Sequence, residues 1–224
     1  MFMQPRDIGL FLRSARTDAA IAELRATVGS EAAFDSVYAK GDPWASGDSR
    51  YVYQRRKYDV LSGLLPNRRY ARALDLGSGH GFMAQRLASK ADEVLGIDIS
   101  QVAVGQAAAI HADVTNLSFL RADVLDLPDT LDGRFDLVVV ADMLYYLPKP
   151  LDDRLLKHLA RRIARLLVPD GLCLLVNHYF TFADADSRLS QRIHRAFAWS
   201  SDLDSVCDYR KAFYLASVLK RVAA

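Results

Sequence analysis

The apolar positions of this chain change period several times, and each change predicts an element. Over residues 8–40 they recur in steps of three and four, with Ile8, Leu10 and Phe11 early and Ala20, Ile21, Leu24 and Val28 later, which is the helical pattern. A second helix is predicted over residues 49–65, with Tyr58, Leu61, Leu64 and Leu65 on its inner face, Asp48 or Ser49 as its cap and Pro66 as its stop. Beyond Arg72 the runs shorten. Residues 73–76, 93–97, 117–122, 137–141 and 172–177 read as strands. Helical stretches separate them at 81–88, 101–111 and 151–167, the last with Leu155, Leu159, Ile163, Leu166 and Leu167 on one side. Strand alternating with helix means βαβ units, so the expected fold class is α/β with a doubly wound, mostly parallel sheet. A closing apolar and aromatic run, residues 212–222, reads as a strand in the edge region.

Composition narrows the function classes. At 224 residues and 51% hydrophobic content, the chain can bury a full core as one domain. Basic and acidic residues nearly balance, at 29 and 27, so charge alone implies no polyanionic partner. Cys173 and Cys207 are too few for a disulfide framework, which fits a reducing cytoplasm. Arg6, Arg13, Arg16, Asp18, Glu23 and Arg25 interrupt the first thirty residues, so no signal peptide is expected there. No apolar run approaches the roughly 18 residues of a membrane span, and no membrane partner is expected.

The stretch Leu74-Asp75-Leu76-Gly77-Ser78-Gly79-His80-Gly81 reads as a strand running into a glycine turn that opens a helix. Gly77, Gly79 and Gly81 permit positive φ and close backbone approach to a ligand, although glycines in a turn also serve packing alone. In an open α/β sheet, ligands bind outside the carboxyl ends of the strands. Asp98 ends the second predicted strand and could accept from ribose hydroxyls; Asp123 follows the third and could accept from an adenine amino group. Ile99 and Val124, beside them, and Ala141, at the end of the fourth strand, complete the expected lining. The spacing Gly-x-Gly-x-Gly differs from the dinucleotide fingerprint. Asp75 would repel a diphosphate and favour an ammonium group, pointing to S-adenosylmethionine.

In these motifs the chain resembles the class I S-adenosylmethionine-dependent methyltransferases. Asp75-x-Gly77-x-Gly79-x-Gly81, Asp98, Asp123, Phe135 to Val140 and Val168-Pro169-Asp170-Gly171 match that superfamily's motifs in order, with Asp170 departing from the usual Pro-Gly-Gly. The resemblance implies a seven-stranded Rossmann-like sheet. More narrowly, Asp42-Pro43-Trp44, Tyr53 to Tyr58 and Val140 to Leu147 resemble the family of the nodulation protein NodS, which N-methylates an amino sugar on a chitooligosaccharide. Relatives commonly carry Tyr-Glu at Tyr53-Gln54 and Ser-Glu or Ala-Glu at Ala141-Asp142, so the acceptor can differ. By this resemblance Arg56 supplies a cation to the methionine carboxylate and Trp44 closes over the cofactor. Residues 1–48 then form N-terminal helices and lid, 49–224 the catalytic core, and 178–205 a substrate-side insertion. The other reading of Arg55, Arg56 and Lys57 is a solvated helix face.

Methyl transfer from a sulfonium needs a positioned acceptor and a route for its proton. His178, at a predicted strand end, leads as general base because imidazole titrates near neutrality; Tyr145 and Asp142 are alternates. Asp142, Asn177 and His178 offer metal-ligand chemistry, but a second carboxylate is missing unless Asp184 or Asp186 approaches, so no metal is expected. In the insertion, Leu189, Ile193 and Phe197 form an apolar stripe, while Arg188, Arg192 and His194 lie on another face. The expected partner is a small polar methyl acceptor, such as an amino sugar, glycan or natural-product intermediate. The alternatives are a tRNA or rRNA methyltransferase, with Arg55, Arg56, Lys57, Arg68, Arg69 and Arg72 tracking phosphates, and a non-catalytic S-adenosylmethionine-binding protein. Nucleic acid is disfavoured by the balanced charge and by the missing Asn/Asp-Pro-Pro-Tyr/Phe signature after the fourth strand.

Overall fold

Seven strands form one sheet in the order β3-β2-β1-β4-β5-β7-β6. They are β1 Tyr70–Leu76, β2 Ala91–Asp98, β3 Leu117–Arg121, β4 Phe135–Ala141, β5 Leu167–Tyr179, β6 Leu203–Lys211 and β7 Phe213–Arg221. The computed structural model describes residues 7–148, 150–180, 184–211 and 213–223. The first five strands are parallel, and β7 runs antiparallel between β5 and β6. Strand order reverses between β1 and β4, the switch point where such sheets open a crevice. Leu76 of β1 pairs with Ile97 of β2 and with Val140 of β4. These three strands therefore finish level, which brings Gly77, Asp98 and Ala141 to the same rim.

The central strands are apolar on both sides because both sides are covered. Val138 and Val140 face α6 (Asp153–Leu166) and α7 (Ala185–Ala198), whereas Leu137 and Val139 face α3 (Val52–Leu64) and α4 (Phe82–Ala88). The N-terminal helical run is two helices, α1 (Asp7–Val28) and α2 (Ser30–Tyr38), separated by Gly29 at φ 81°. Phe34, Val37 and Tyr38 of α2 pack with Ala103 of α5 (Gln101–Ile110). This contact lays the N-terminal helices across the rim near Asp98. No helix among the described residues is long and apolar enough to cross a membrane.

One expectation needs correction, and one strand lies outside the predicted pattern. Neither Asp48 nor Ser49 caps α3, which begins at Val52 after an uncapped Tyr51. Asp48 instead accepts from the Arg50 backbone at 2.9 Å and its guanidinium at 3.0 Å, a local turn that competes with helix. Strand β6 escaped the periodicity because only Leu203 of its residues is buried, and its presence moves β7 inward from the edge. The expected insertion consists of the end of β5, α7 and the start of β6; residues 181–183 of it, like Ala212, lie outside the described residues. The departure at Asp170 is absorbed by a bulge, since Phe135 pairs with Leu167 and Leu137 with Leu172. Asp170 takes φ 59° there, and Lys220 Nζ lies 3.1 Å from its carboxylate.

Candidate functional site

The glycine turn is fixed by backbone bonds and by its lack of side chains. The Gly77 and Ser78 amides donate to the Ile97 carbonyl at 2.8 and 3.0 Å, tying the turn to the end of β2. The Gly79 amide donates to Asp98 Oδ2 at 2.9 Å, and the Ser100 amide donates to Asp98 Oδ1 at the same distance. Burial pushes the Asp98 carboxyl upward, and these amides and His80 oppose the shift. A Cβ on Gly77, at φ 72°, would lie 2.6 Å from Met143 Cβ; one on Gly79, at φ 51°, would lie 2.6 Å from Tyr38 Oη. The turn is thus clasped between the segment after β4 and the end of α2.

Asp75 shares the β1 face of Ala73, toward α3 and α4, opposite Leu74 and Leu76. It accepts from the Ala84 amide, and burial drives its carboxyl up to about 7. Asp75 Oδ2 and the neighbouring Ser78 Oγ are buried with no hydrogen-bond partner among the described residues. Asp123 Oδ1 accepts from the Leu125 amide at 2.9 Å, so this carboxylate caps the turn Val124–Asp126. Val124 is in the core, Ile99 packs against the N-terminal aromatic cluster, and Ala141 is half-buried at the rim.

That aromatic cluster forms above the turn. Trp44 lies 5.6 Å from Tyr38, 5.8 Å from Tyr146 and 6.4 Å from Phe34, between ring centroids. Asp18 of α1 anchors it, accepting from Trp44 Nε1 at 3.2 Å and from the Tyr146 hydroxyl at 2.5 Å. His80 contributes a second tie, with Nε2 2.7 Å from Gln106 Oε1 and Nδ1 3.8 Å from Asp42 of the Trp44 loop. Asp18 and Tyr38 carry no sequence motif. Their roles come from long-range packing, which a helical periodicity does not reveal.

The inward-facing cation of α3 lies on the acceptor side of the site. Arg56 lies exposed on α3, and Lys57 is the residue that turns inward. Tyr53, Lys57 and Leu61 recur every four residues and are all buried, so they share one stripe of the helix; that spacing was readable in advance. Lys57 forms an ion pair with Asp142, and its Nζ lies 5.4 Å from the Tyr214 ring centroid. Asp142 follows β4 at φ 54°, a left-handed conformation that aspartate tolerates better than most residues. Its amide donates to the Val176 carbonyl at 2.9 Å, and its Oδ1 is buried without a partner among the described residues.

His178 lies on the same face of the sheet as Lys57, with its ring 4.6 Å from Phe180 in an edge-on contact. Burial lowers its pKa from the ordinary 6.5, opposed by the Asp142 charge. Tyr145 packs 4.6 Å from Tyr146, and burial raises its hydroxyl well above the usual tyrosine value. Such a phenol is a hydrogen-bond donor rather than a base. Asn177 points to the opposite face by strand alternation, fully buried with its amide unpartnered among the described residues. The structure therefore brings Asp142, Lys57 and His178 together and separates them from Asn177.

A seven-stranded sheet with one antiparallel strand inserted beside the last edge, and a glycine turn after its first strand, defines the class I S-adenosylmethionine-dependent methyltransferase fold. Residues 73–171 match the methyltransferase domain family, and S-adenosylmethionine is the cofactor of that domain. Among solved structures, the chain superposes with TM-score 0.70 on N-methyltransferase NodS from Bradyrhizobium japonicum WM9 in complex with S-adenosyl-l-homocysteine, at 22% identity over 85% of this chain and 97% of NodS. It is 40% identical over 120 residues to 27-O-demethylrifamycin SV methyltransferase of Amycolatopsis mediterranei, covering 52% of this chain and 42% of that protein. It is 32% identical over 117 residues to a ubiquinone biosynthesis O-methyltransferase of Alkalilimnicola ehrlichii, covering 51% and 44%. The chain spans less than half the length of these two curated relatives.

Proposed function

We propose that the protein transfers the methyl group of S-adenosylmethionine to nitrogen or oxygen of a small molecule, such as an amino sugar, a glycan or a natural-product intermediate. The observation that carries this reading is the level rim of β1, β2 and β4, which sets the glycine turn and Asp98 beside the Asp142, Lys57 and His178 group. When bound, the cofactor supplies an already activated methyl group on sulfur. Asp98 and Asp123 would hold the nucleoside, and Ile99, Val124 and Ala141 would line its surroundings. The unpartnered Asp75 Oδ2 and Ser78 Oγ suit a ligand rich in hydrogen-bond donors, such as an ammonium-bearing amino acid. Trp44 covers the turn as lid. Arg56 is not part of this proposal, because its side chain is on the solvent face.

His178 serves as the base. Burial keeps the imidazole neutral near pH 7, and no carboxylate among the described residues bonds it directly, so it is ready to take a proton from an acceptor. Asp142 positions the acceptor through its free oxygen, and Tyr145 donates a hydrogen bond. Calorimetric titration with S-adenosylhomocysteine tests the cofactor half: Asp98→Ala should weaken binding at least about tenfold, the worth of one lost charged hydrogen bond. His178→Gln tests the other half, with kcat expected to fall about a hundredfold while cofactor affinity holds. Unchanged kcat in that variant would refute His178 as base.

A further inference from the structure

Beside His178 the site is walled by rings. Phe11 of α1, Phe180 and Phe213 meet one another at centroid distances of 5.0 to 6.5 Å, and the Tyr53 ring lies 5.2 Å from Phe11 and 6.1 Å from Phe213. Phe180 is 37% exposed, and Ile8, three residues before Phe11 and its neighbour on the surface of α1, is 51% exposed. An apolar strip thus runs from solvent to the imidazole. Rings and aliphatic chains give a sugar no partners for its hydroxyls, each of which costs free energy when buried unpaired.

The carboxylates that act on His178 are Asp142, Asp18 and Asp184; Asp18 is engaged by Trp44 and Tyr146, and Asp184 by Ser187. Asp142, the carboxylate nearest the sheet rim there, is paired with the buried Lys57, so it does not attract an ammonium. The Lys57 cation also opposes the positive charge that builds on an amine nitrogen as it is methylated, and supports the negative charge that builds on an oxygen losing its proton. A neutral amine needs no base before it attacks, whereas a hydroxyl does, and a neutral imidazole stands beside the site.

Resting on the methyltransferase reading above, we infer that the acceptor is a hydroxyl group carried on an apolar, ring-bearing body, and that O-methylation rather than N-methylation of a sugar is the reaction of this site. The hydroxyl oxygen forms the new bond to the methyl carbon, the methyl–sulfur bond breaks with its electron pair remaining on sulfur, and the hydroxyl proton passes to the His178 imidazole. The body lies along Phe180, Phe213 and Phe11 and reaches Ile8.

The test uses the full chain with 2-naphthol, 2-naphthylamine and glucosamine as probes. Binding of each to protein loaded with S-adenosylhomocysteine is measured by calorimetry, and methylated products are identified by mass spectrometry. The naphthol should bind, and its kcat/KM should exceed that of either amine by about tenfold or more. Ile8→Gln, at an exposed position outside the reacting group, should raise KM for the naphthol about threefold with kcat held. Preference for glucosamine, equal turnover of the naphthylamine, or no binding of the naphthol to loaded protein overturns the inference while leaving methyl transfer standing. Failure to bind S-adenosylhomocysteine at all would instead bring down the methyltransferase reading, and this inference with it.

Discussion

Asp75 offers the sharpest physical test of the site. Its carboxyl is raised from 3.8 to about 7 by burial, only partly opposed by the Ala84 amide. A raised acid favours its protonated form in the folded protein. Its stabilising effect is therefore complete below the unfolded value near 4, declines as pH rises, and is gone above about 7. At about 1.36 kcal/mol per pH unit, the full swing is of order 4 kcal/mol. Asp75→Asn removes the titration, keeps the acceptor for the Ala84 amide and preserves shape. The two proteins should have similar unfolding free energies at pH 3, whereas the variant should be the more stable by roughly 1.5 kcal/mol at pH 5 and by about 4 kcal/mol at pH 8. Urea denaturation at half-unit pH steps measures this, and the difference between the two curves isolates Asp75 from other titrating groups, among them Asp18, Asp98 and His194. Parallel curves from pH 5 to 8 would show that Asp75 is ionised throughout, and the account of its burial would be wrong.

Three further perturbations probe the surrounding structure. Lys57→Met strands Asp142 without its cation and should cost about 2 kcal/mol, below the loss for a fully buried pair because Asp142 keeps 27% of its side-chain exposure; restoring stability by adding Asp142→Asn would confirm the coupling. Gly77→Ala places a Cβ 2.6 Å from Met143 Cβ at φ 72°, so thermal denaturation should register a loss of about 2 kcal/mol and cofactor affinity should fall. Asp18→Ala removes two hydrogen bonds, worth about 1 kcal/mol each, and frees Trp44. In a Trp199→Phe background, where Trp44 alone reports, its fluorescence should shift to the red, and an unchanged spectrum would deny Asp18 its anchoring role.

Much of the frame was legible because it rests on local patterns. The strands from β1 to β5 each hold a short apolar run between turn residues, and the glycine turn carries its own conformational requirement in sequence. Strand β6 was not legible, since an edge strand with one buried residue has no reason to alternate. The candidate site divides in the same way. Asp98 and His178 stand at strand ends, where the parallel topology puts them at the rim. The inward cation of α3 is Lys57, which the four-residue spacing with Tyr53 and Leu61 marks, whereas the family resemblance points to its neighbour Arg56. Asp18 reaches the site from a distant helix, and no local pattern announces a contact spanning 128 residues of chain to Tyr146.

The two edges of the sheet bear on self-association. At one side β3 spans only five residues. At the other, β6 shifts register between Ser205 and Cys207 and carries Asp204, Asp208, Arg210 and Lys211 along its exposed length. Short strands, bulges and charge all obstruct the addition of a further strand from another molecule. Growth of the sheet into a shared, intermolecular one is thereby discouraged, and copies of this chain that did associate would meet through their helices.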